Sequence, residues 1–484
     1  MTLPELLQSI PAGRGLADVP NVEITGIEED SRLVQPGHLF IAKPGTKTDG
    51  AQFLNDALAH GASAALVAHM VPSCPLPQVV VTDPAGIISP LVESFFNHPS
   101  RHIKVIGITG TNGKTTTTYL IRHILAKAGI RCGMVGTVEI DDGSHHVEAC
   151  MTTPSPIALT KLLAAMRDNR CAACAIEVSS HALAQGRVAA IEFAAGAFTN
   201  LTGDHLDFHR TTENYAEAKS RLFQMLSPGA PAIVNARDPW SGRMLQSSPG
   251  RRVRFGVDLP AEYRATQVQV NAQGSSFTFH TPGETVPVNM RLMGLYNVEN
   301  ALTAMACVAE VFGLGAAQLA DAMADATGAP GRLEPVLAGQ SFTVLVDYAH
   351  TDDALKNVLC ALRPLTTGKL RVLFGCGGDR DPSKRPRMAR VAQGMADVLY
   401  VTSDNPRTED PDAIIAAIVA GFDPTIDKPT HIVPDRRQAI GEILRDSQPG
   451  DIVLLAGKGH ENYQIIGTSK HHFDDAEEAR RALP

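Results

Sequence analysis

The chain has 484 residues, of which 44% are hydrophobic, 19% charged and 5% aromatic, and its formal net charge is -8. That length exceeds one ordinary core and predicts about three domains, while the balance describes a globular enzyme and excludes disordered, fibrous and membrane-embedded chains. The acidic surplus argues against nucleic acid as a partner, because phosphate backbones select basic faces; an anionic small molecule needs only a local basic pocket.

The opening MTLPELLQSIPAGRG has no basic segment leading into an apolar one, and no run of about 18 apolar residues occurs in the sequence. The expectation is a cytoplasmic protein without membrane insertion. The first hundred residues mix short strands and helices, punctuated at PGHLF and KPGTKTDG, up to the polar break Asn97-His98-Pro99-Ser100. This break sets the first boundary, and the expected domains are 1–99, 100–336 and 337–484.

Residues 103–108 (IKVIGI) form a compact apolar strand that enters a glycine-rich turn and then a helix from Thr115 to Ala128, with Leu120, Ile121, Ile124, Leu125 and Ala128 on one face. In such a strand, loop and helix unit, Gly110-Thr111-Asn112-Gly113-Lys114-Thr115 would cradle phosphates on backbone N–H groups and the helix N-terminus. Lys114 would reach the terminal phosphates and Thr115 would hold magnesium. The spacing departs from the common phosphate-loop pattern, since Ile108 stands where its leading glycine is usual.

Strand-like runs at 172–178, 193–201 and 230–235 alternate with helical patterns, as expected of a parallel sheet with helices on both faces. Glu177, ending the first of these, is the candidate metal carboxylate. The alternating stretch VQVNAQGSSFTFHT predicts antiparallel hairpins appended to the central domain, ahead of a helix at 297–312. The eight cysteines are scattered; only Cys171 and Cys174 lie close, no second pair completes a zinc site, and all are expected to be free thiols.

From about residue 337 a second βα series begins, with strands at 343–347, 369–375, 397–402 and 451–456 and helices at 353–362, 384–396 and 411–421. It predicts another doubly wound sheet. Its strands end in Asp347-Tyr348-Ala349-His350, Gly377-Gly378-Asp379-Arg380, Asp404-Asn405-Pro406-Arg407 and Gly457-Lys458-Gly459-His460-Glu461, the edge where such sheets bind ligands.

Taken in order, GTNGKTTT, TTPSP, EVSSHAL, FTNLTGDHLDFH, YAEAKSRLF, GLYNVENALTA, GRLEPV, DYAHTDDAL, GCGGDRDPSKRP, DNPRTEDP and AGKGHENYQ resemble the Mur ligases over essentially the whole chain. The resemblance implies an α/β protein of three domains: an N-terminal UDP-binding α/β domain, a central phosphate-loop ATPase sheet with a small antiparallel addition, and a C-terminal Rossmann-like, doubly wound sheet for the incoming amino acid. It implies ATP and Mg2+ as cofactors, an acyl-phosphate intermediate, and UDP-N-acetylmuramoyl-L-alanyl-D-glutamate and meso-diaminopimelate as small-molecule substrates, with a monomer favoured.

By matching motif, Gly110, Thr111, Asn112, Gly113, Lys114, Thr115 and Thr116 would bind ATP, together with Asn297, Arg332 and Asp347. Thr115 and Glu177 would hold one magnesium, His205 and a carbamylated Lys219 the second. Lys114, Glu177, His205 and Lys219 form the implied catalytic set. Ser31, Thr152, Thr153, Ser179, Gln185 and Arg187 would bind the UDP-sugar dipeptide, with the stretch Thr46-Lys47-Thr48 in the place of a nucleotide-contacting loop. Arg380, Asp404, Asn405, Pro406, Arg407, Gly457 and Glu461 would bind diaminopimelate, the arginines on carboxylates and Glu461 on an ammonium. Asp352 and Ser403 depart from the family pattern, where a proline and an acid are common. Two other readings share these residues: the same ligase type adding L-lysine, and a phosphate-loop ATPase that forms no amide.

Overall fold

The computed structural model describes residues 1–10, 19–45, 48–203, 205–271 and 274–483. Thr46 and Lys47 of the expected nucleotide-contacting loop, and Asp204 of the acid and histidine run, lie outside them. The chain divides into two compact units, Met1–Arg264 with Leu302–Leu319, and Ala265–Ala301 with Ala320–Pro484.

The first unit opens with a parallel sheet, β1 (Gly26–Glu28), β2 (His38–Ala42), β3 (Ala64–Val67) and β4 (Gln78–Val80), in sequence order. Leu39–Ala42 and AALV are apolar throughout because both faces are covered. On one side Leu39, Ile41 and Leu66 pack with Leu3, Leu6 and Leu7 of helix Leu3–Gln8 and with Ile88, Leu91 and Val92 of helix Pro84–Phe95. On the other, Phe40, Ala65 and Val67 meet Leu54 and Ala57. Thr2 and Glu5 close a capping box on the first helix, and Asp83 caps the second.

The same unit holds the central strands β5 (Lys104–Thr109), β6 (Cys132–Val135), β7 (Glu139–Asp141), β8 (His146–Glu148), β9 (Ala173–Glu177), β10 (Phe193–Phe198), β11 (Pro231–Asn235) and β12 (Arg251–Val257). They run in the order β12-β11-β10-β5-β9-β6-β7-β8. From β12 to β6 all pairs are parallel, whereas β7 and β8 turn back antiparallel. Helix Lys114–Lys127 buries Leu120, Ile121, Ile124 and Leu125, and helix Thr212–Gln224, capped by Thr211, buries Tyr215, Leu222 and Phe223.

Strand β13 (Tyr263–Asn271), whose residues from Ala265 onward belong to the second unit, lies side by side with β14 (Gly274–His280) and β15 (Thr285–Met290), with β14 and β15 antiparallel from Ser275↔Met290 to His280↔Thr285. The alternating burial of GSSFTFH matches the period of a sheet with one covered face. A further sheet follows: β16 (Glu334–Pro335), β17 (Thr343–Asp347), β18 (Leu370–Phe374), β19 (Val398–Val401), β20 (Thr430–Ile432) and β21 (Ile452–Ala456), in the order β16-β17-β21-β18-β19-β20. Only β16 runs antiparallel. One face carries helices Asp352–Leu362, Lys384–Met395 and Pro411–Val419 through Leu355, Leu359, Met388, Ala392 and Ile415. The other carries Arg436–Arg445 and Asp475–Ala482 through Ile440, Ile443 and Ala479. Asp352 opens its helix directly behind the Thr351 cap, where an acid complements the helix dipole as a proline there would fit its geometry. A hairpin, β22 (Tyr463–Ile466) with β23 (Ser469–His472), follows the sheet.

All eight cysteines are free, Cys171 and Cys174 both buried. Among the described residues no helix is long and apolar enough to cross a membrane.

Candidate active site

The loop after β5 is shaped by two glycines. Gly110 has φ +149°, and a Cβ there would fall 1.9 Å from Thr199 Oγ1; Gly113 has φ +89°. Both are positions that glycine alone fills without strain. The loop is strapped to the end of β10: Thr111 N–H donates to Asn200 O at 2.8 Å, Asn112 N–H to Asn200 Oδ1 at 3.0 Å, and Thr199 Oγ1 to Asn112 O at 2.6 Å. Lys114 folds back over the loop, donating to Gly110 O at 3.0 Å and Thr111 O at 2.9 Å. Thr115 and Thr116 are buried in the first turn of the 14-residue helix whose N-terminus faces the loop. An N-terminus of that kind attracts phosphate.

Glu177 ends β9, the strand beside β5, and its side chain is wholly buried. Its carboxylate accepts from Thr115 Oγ1 at 3.0 Å, Thr137 N–H at 2.8 Å and Thr137 Oγ1 at 3.1 Å. Gly136 makes the room, since a Cβ there would lie 2.5 Å from Glu177 Oε1. Thr115 and Glu177 offer hard oxygens of the kind magnesium prefers, and Thr137 orients the Glu177 carboxylate through its N–H and hydroxyl. Among the described residues no group of three or more His, Cys, Asp or Glu side chains is placed to hold a metal ion.

Lys219, on helix Thr212–Gln224, is 1% exposed. Its Nζ donates to Gly110 O at 2.7 Å and lies 4.4 Å from the centre of the Tyr215 ring. His205, at φ +53°, stands edge-on to the same tyrosine at 6.1 Å and to His181 at 4.9 Å. Tyr215 OH in turn meets Thr111 Oγ1 at 3.2 Å. His205 and Lys219 thus flank one aromatic ring that itself touches the phosphate loop.

Five of the six expected dipeptide residues, Thr152, Thr153, Ser179, Gln185 and Arg187, join this network. Thr152 Oγ1 lies 3.1 Å from Thr137 Oγ1. Thr153 Oγ1 donates to Glu177 O at 2.8 Å and accepts from Ser179 N–H at 3.1 Å; Ser179 caps helix Ser180–Ala184. Arg187 holds Thr153 O at 2.7 Å and forks onto Gln185 Oε1 at 2.9 and 2.6 Å. Burial pulls the Arg187 guanidinium below its ordinary pKa, with Glu29 opposing. Ser31 is buried in the short helix Ser31–Leu33 behind the Asp30 cap, and Glu28 nearby accepts from Lys161 Nζ at 3.0 Å.

In the second unit, Asn297 Nδ2 donates to Met293 O at 2.8 Å and Asn297 Oδ1 accepts from Asn300 at 3.2 Å. Asp347, at the end of β17, accepts from Leu333 N–H at 2.8 Å and Ala349 N–H at 2.9 Å. Burial raises its pKa, opposed by the Arg332 charge and both amides. The Arg332 guanidinium lies 4.9 Å from the centre of the Tyr348 ring, with its Nε buried and without a hydrogen-bond partner among the described residues.

The third cluster lies around the ends of β18, β19 and β21. Arg407, at φ +52°, donates to Gly378 O at 2.7 Å, and a Cβ on Gly377 would stand 2.9 Å from Arg407 Nη1 and 3.9 Å from Arg380 Cγ. Both arginines therefore border one glycine, Arg380 exposed and Arg407 half-buried. In the same cluster Asp404 and Pro406 are buried, and Asn405 Nδ2 donates to Glu461 Oε2 at 2.8 Å. Gly457, at φ +112°, leaves 3.0 Å between its missing Cβ and Asp404 Oδ2. Burial raises the Glu461 pKa, as does Asp404, while Lys458, Asn405 and Arg407 pull it down.

Two residues escaped the sequence reading. Thr137 carries no signal as a lone threonine behind a glycine; only its contact with Glu177 reveals it. Lys458 lies in the run Gly457-Lys458-Gly459-His460-Glu461 without a role of its own in the sequence reading, and its signal is a lysine one residue beyond the apolar strand that ends at Ala456.

Residues 23–111, 108–308 and 331–459 match, in turn, the Mur ligase family catalytic domain, the Mur ligase middle domain and the Mur ligase glutamate ligase domain. The UDP-N-acetylmuramoyl-L-alanyl-D-glutamate--2,6-diaminopimelate ligase of Thermosynechococcus vestitus is 44% identical over 492 residues, covering 100% of this chain and 98% of that relative. A solved structure of a ligase with the same printed name aligns with a TM-score of 0.70 at 34% identity, covering 95% of this chain and 94% of that one. The MurF ligase from Thermotoga maritima in complex with ADP shares the fold, with a TM-score of 0.60 at 18% identity, covering 89% and 93% of the two chains.

Proposed function

The chain belongs to the Mur ligase family, and from that membership we propose that it joins meso-diaminopimelate to the D-glutamate of UDP-N-acetylmuramoyl-L-alanyl-D-glutamate at the expense of ATP, in peptidoglycan precursor synthesis. The observation that carries the substrate choice is the pairing in one cluster of two arginines, Arg380 and Arg407 beside Gly377, with two acids, Asp404 and Glu461. A diamino diacid presents carboxylates to the arginines and an ammonium to the acids. Lysine has no distal carboxylate and would leave a guanidinium unanswered, which disfavours a lysine-adding ligase.

Residues 1–99 are assigned to the UDP-sugar, 100–336 to ATP and 337–484 to the amino acid. Ser31, Thr152, Thr153, Ser179, Gln185 and Arg187 bind the dipeptide end of the nucleotide substrate. Gly110 to Thr116 hold the ATP phosphates, with Asn297, Arg332 and Asp347 on the nucleotide. The γ-phosphoryl group passes to the glutamate carboxylate, giving an acyl phosphate and ADP; the diaminopimelate amine then displaces phosphate. Positioning and charge neutralisation dominate such transfers. Magnesium, when bound, would neutralise phosphate charge on Thr115 and Glu177 and on His205 with a carbamylated Lys219. Lys114 exchanges its two loop carbonyls for phosphate oxygens. A compartment supplying ATP and a UDP-sugar together makes the cytoplasm the place of action.

The direct test is product mass. Incubation with ATP, magnesium, the UDP-dipeptide and meso-diaminopimelate is expected to yield one species equal to both substrates less one water. ATP hydrolysis without that species would replace the ligase by an ATPase that forms no amide.

A further inference from the structure

Lys458 is 0% exposed, and a buried ammonium is costly unless counter-charged. Its counter-ions are the acids of the amino-acid cluster: Nζ lies 3.6 Å from Asp404 Oδ1 and 3.6 Å from Glu461 Oε2. The neighbouring buried cation is arranged differently. Arg436 is matched by an acid of its own, Asp475, through a bidentate pair at 2.8 and 2.6 Å. Lys458 instead faces two carboxylates with one positive charge. Asp404 Oδ1 is buried and has no hydrogen-bond partner among the described residues. Within ion-pair distance, then, Lys458 leaves one negative charge unanswered, and its complement is a second ammonium.

Lys458 also fixes the orientation of Asn405. Its Nζ donates to Asn405 Oδ1 at 3.3 Å, and Ile465 N–H donates to the same oxygen at 2.9 Å. With two donors on that oxygen, the amide must turn its NH2 toward Glu461, where it sits at 2.8 Å. We infer that Lys458 is the positioning residue of the amino-acid pocket, holding Asp404, Asn405 and Glu461 as a preset seat for one ammonium group of the incoming diamino acid. The inference rests on the ligase reading above. Among the described residues the other charged or titratable groups around the acids include Arg407, Arg436, Tyr348, His350, Cys376 and Tyr463.

The test compares wild type, K458M, K458Q and K458R for thermal midpoint and for separate KM values of ATP, UDP-dipeptide and diaminopimelate. K458M should raise the diaminopimelate KM roughly ten-fold or more, leave the other two within about two-fold, and move the acid limb of kcat/KM for diaminopimelate to higher pH; K458R should recover part of the loss. K458Q keeps a donor for Asn405 but no charge, and serves as the neutral variant should K458M not fold. An unchanged diaminopimelate KM, or an equal rise in all three constants, overturns the inference, as does failure of both neutral variants to fold. Wild type that forms no product with diaminopimelate sinks the ligase reading instead.

Discussion

Lys219 Nζ donates to the carbonyl oxygen of Gly110 at 2.7 Å, joining residues 109 apart in sequence at the first glycine of the phosphate loop. In the proposed account that amine is carbamylated and carries oxygens toward magnesium. Lys219→Ala is expected to lower kcat by about a hundred-fold or more, and Lys219→Arg to do the same, since a guanidinium forms no such carbamate. Wild type freed of dissolved carbon dioxide should lose activity and regain it with bicarbonate, read as product formation before and after the addition. Full activity of either variant would remove Lys219 from the mechanism.

Thr137 gives Glu177 both its backbone N–H and its hydroxyl. Thr137→Ala keeps the first and loses the second. The loss of such an outer partner weakens metal affinity by roughly 10- to 100-fold, so the magnesium concentration for half-maximal activity should rise by that factor at unchanged folding cooperativity. An unchanged magnesium dependence would leave Thr137 a packing residue.

Arg407→Met removes one guanidinium from beside Gly377. The kcat/KM for diaminopimelate should fall by about a hundred-fold, the order seen when a charged partner is left unanswered, with lysine turnover unchanged or higher. An equal loss for both amino acids would assign Arg407 to the architecture of the β19 loop alone.

Glu93, on helix Pro84–Phe95, is 2% exposed and accepts from Ser100 Oγ at 3.0 Å, while its Oε1 has no hydrogen-bond partner among the described residues. Burial raises its pKa from 4.5 to about 7, against the Ser100 hydrogen bond and Arg101. The folded state therefore retains a proton that the unfolded state gives up. The associated stability is full below pH 4.5 and is lost as pH rises toward about 7. Glu93→Gln, neutral throughout, should match wild type near pH 4.5 and exceed it above pH 7 by an amount on the order of 3 kcal/mol. Denaturant unfolding at the two pH values gives the comparison, and a pH-independent difference would contradict it.

The parallel strands and the helices between them were legible because their side-chain periods are set by burial: IKVIGI became Lys104–Thr109, and the C-terminal strand at 343–347 became Thr343–Asp347. Helix Arg436–Arg445 was not read. Its RRQAIGEILR looks polar, and the fully buried Arg436 that it contributes is paired by Asp475, 39 residues on. The β22 and β23 hairpin is mostly exposed and offers no apolar alternation to read. Thr137 and Lys458 are defined by what they touch, Glu177 in one case and Asp404 with Glu461 in the other, and partners so distant in sequence leave no local period. The grouping of Ala265–Ala301 with the C-terminal residues is likewise a property of contacts rather than of chain order.

The most direct test of the central claim is phosphate release with ATP, magnesium and UDP-N-acetylmuramoyl-L-alanyl-D-glutamate, in parallel with meso-diaminopimelate, L-lysine or no amino acid. Release that requires meso-diaminopimelate is the predicted result. Equal release in all three would contradict amide formation, and release with lysine alone would contradict the assignment of Arg407.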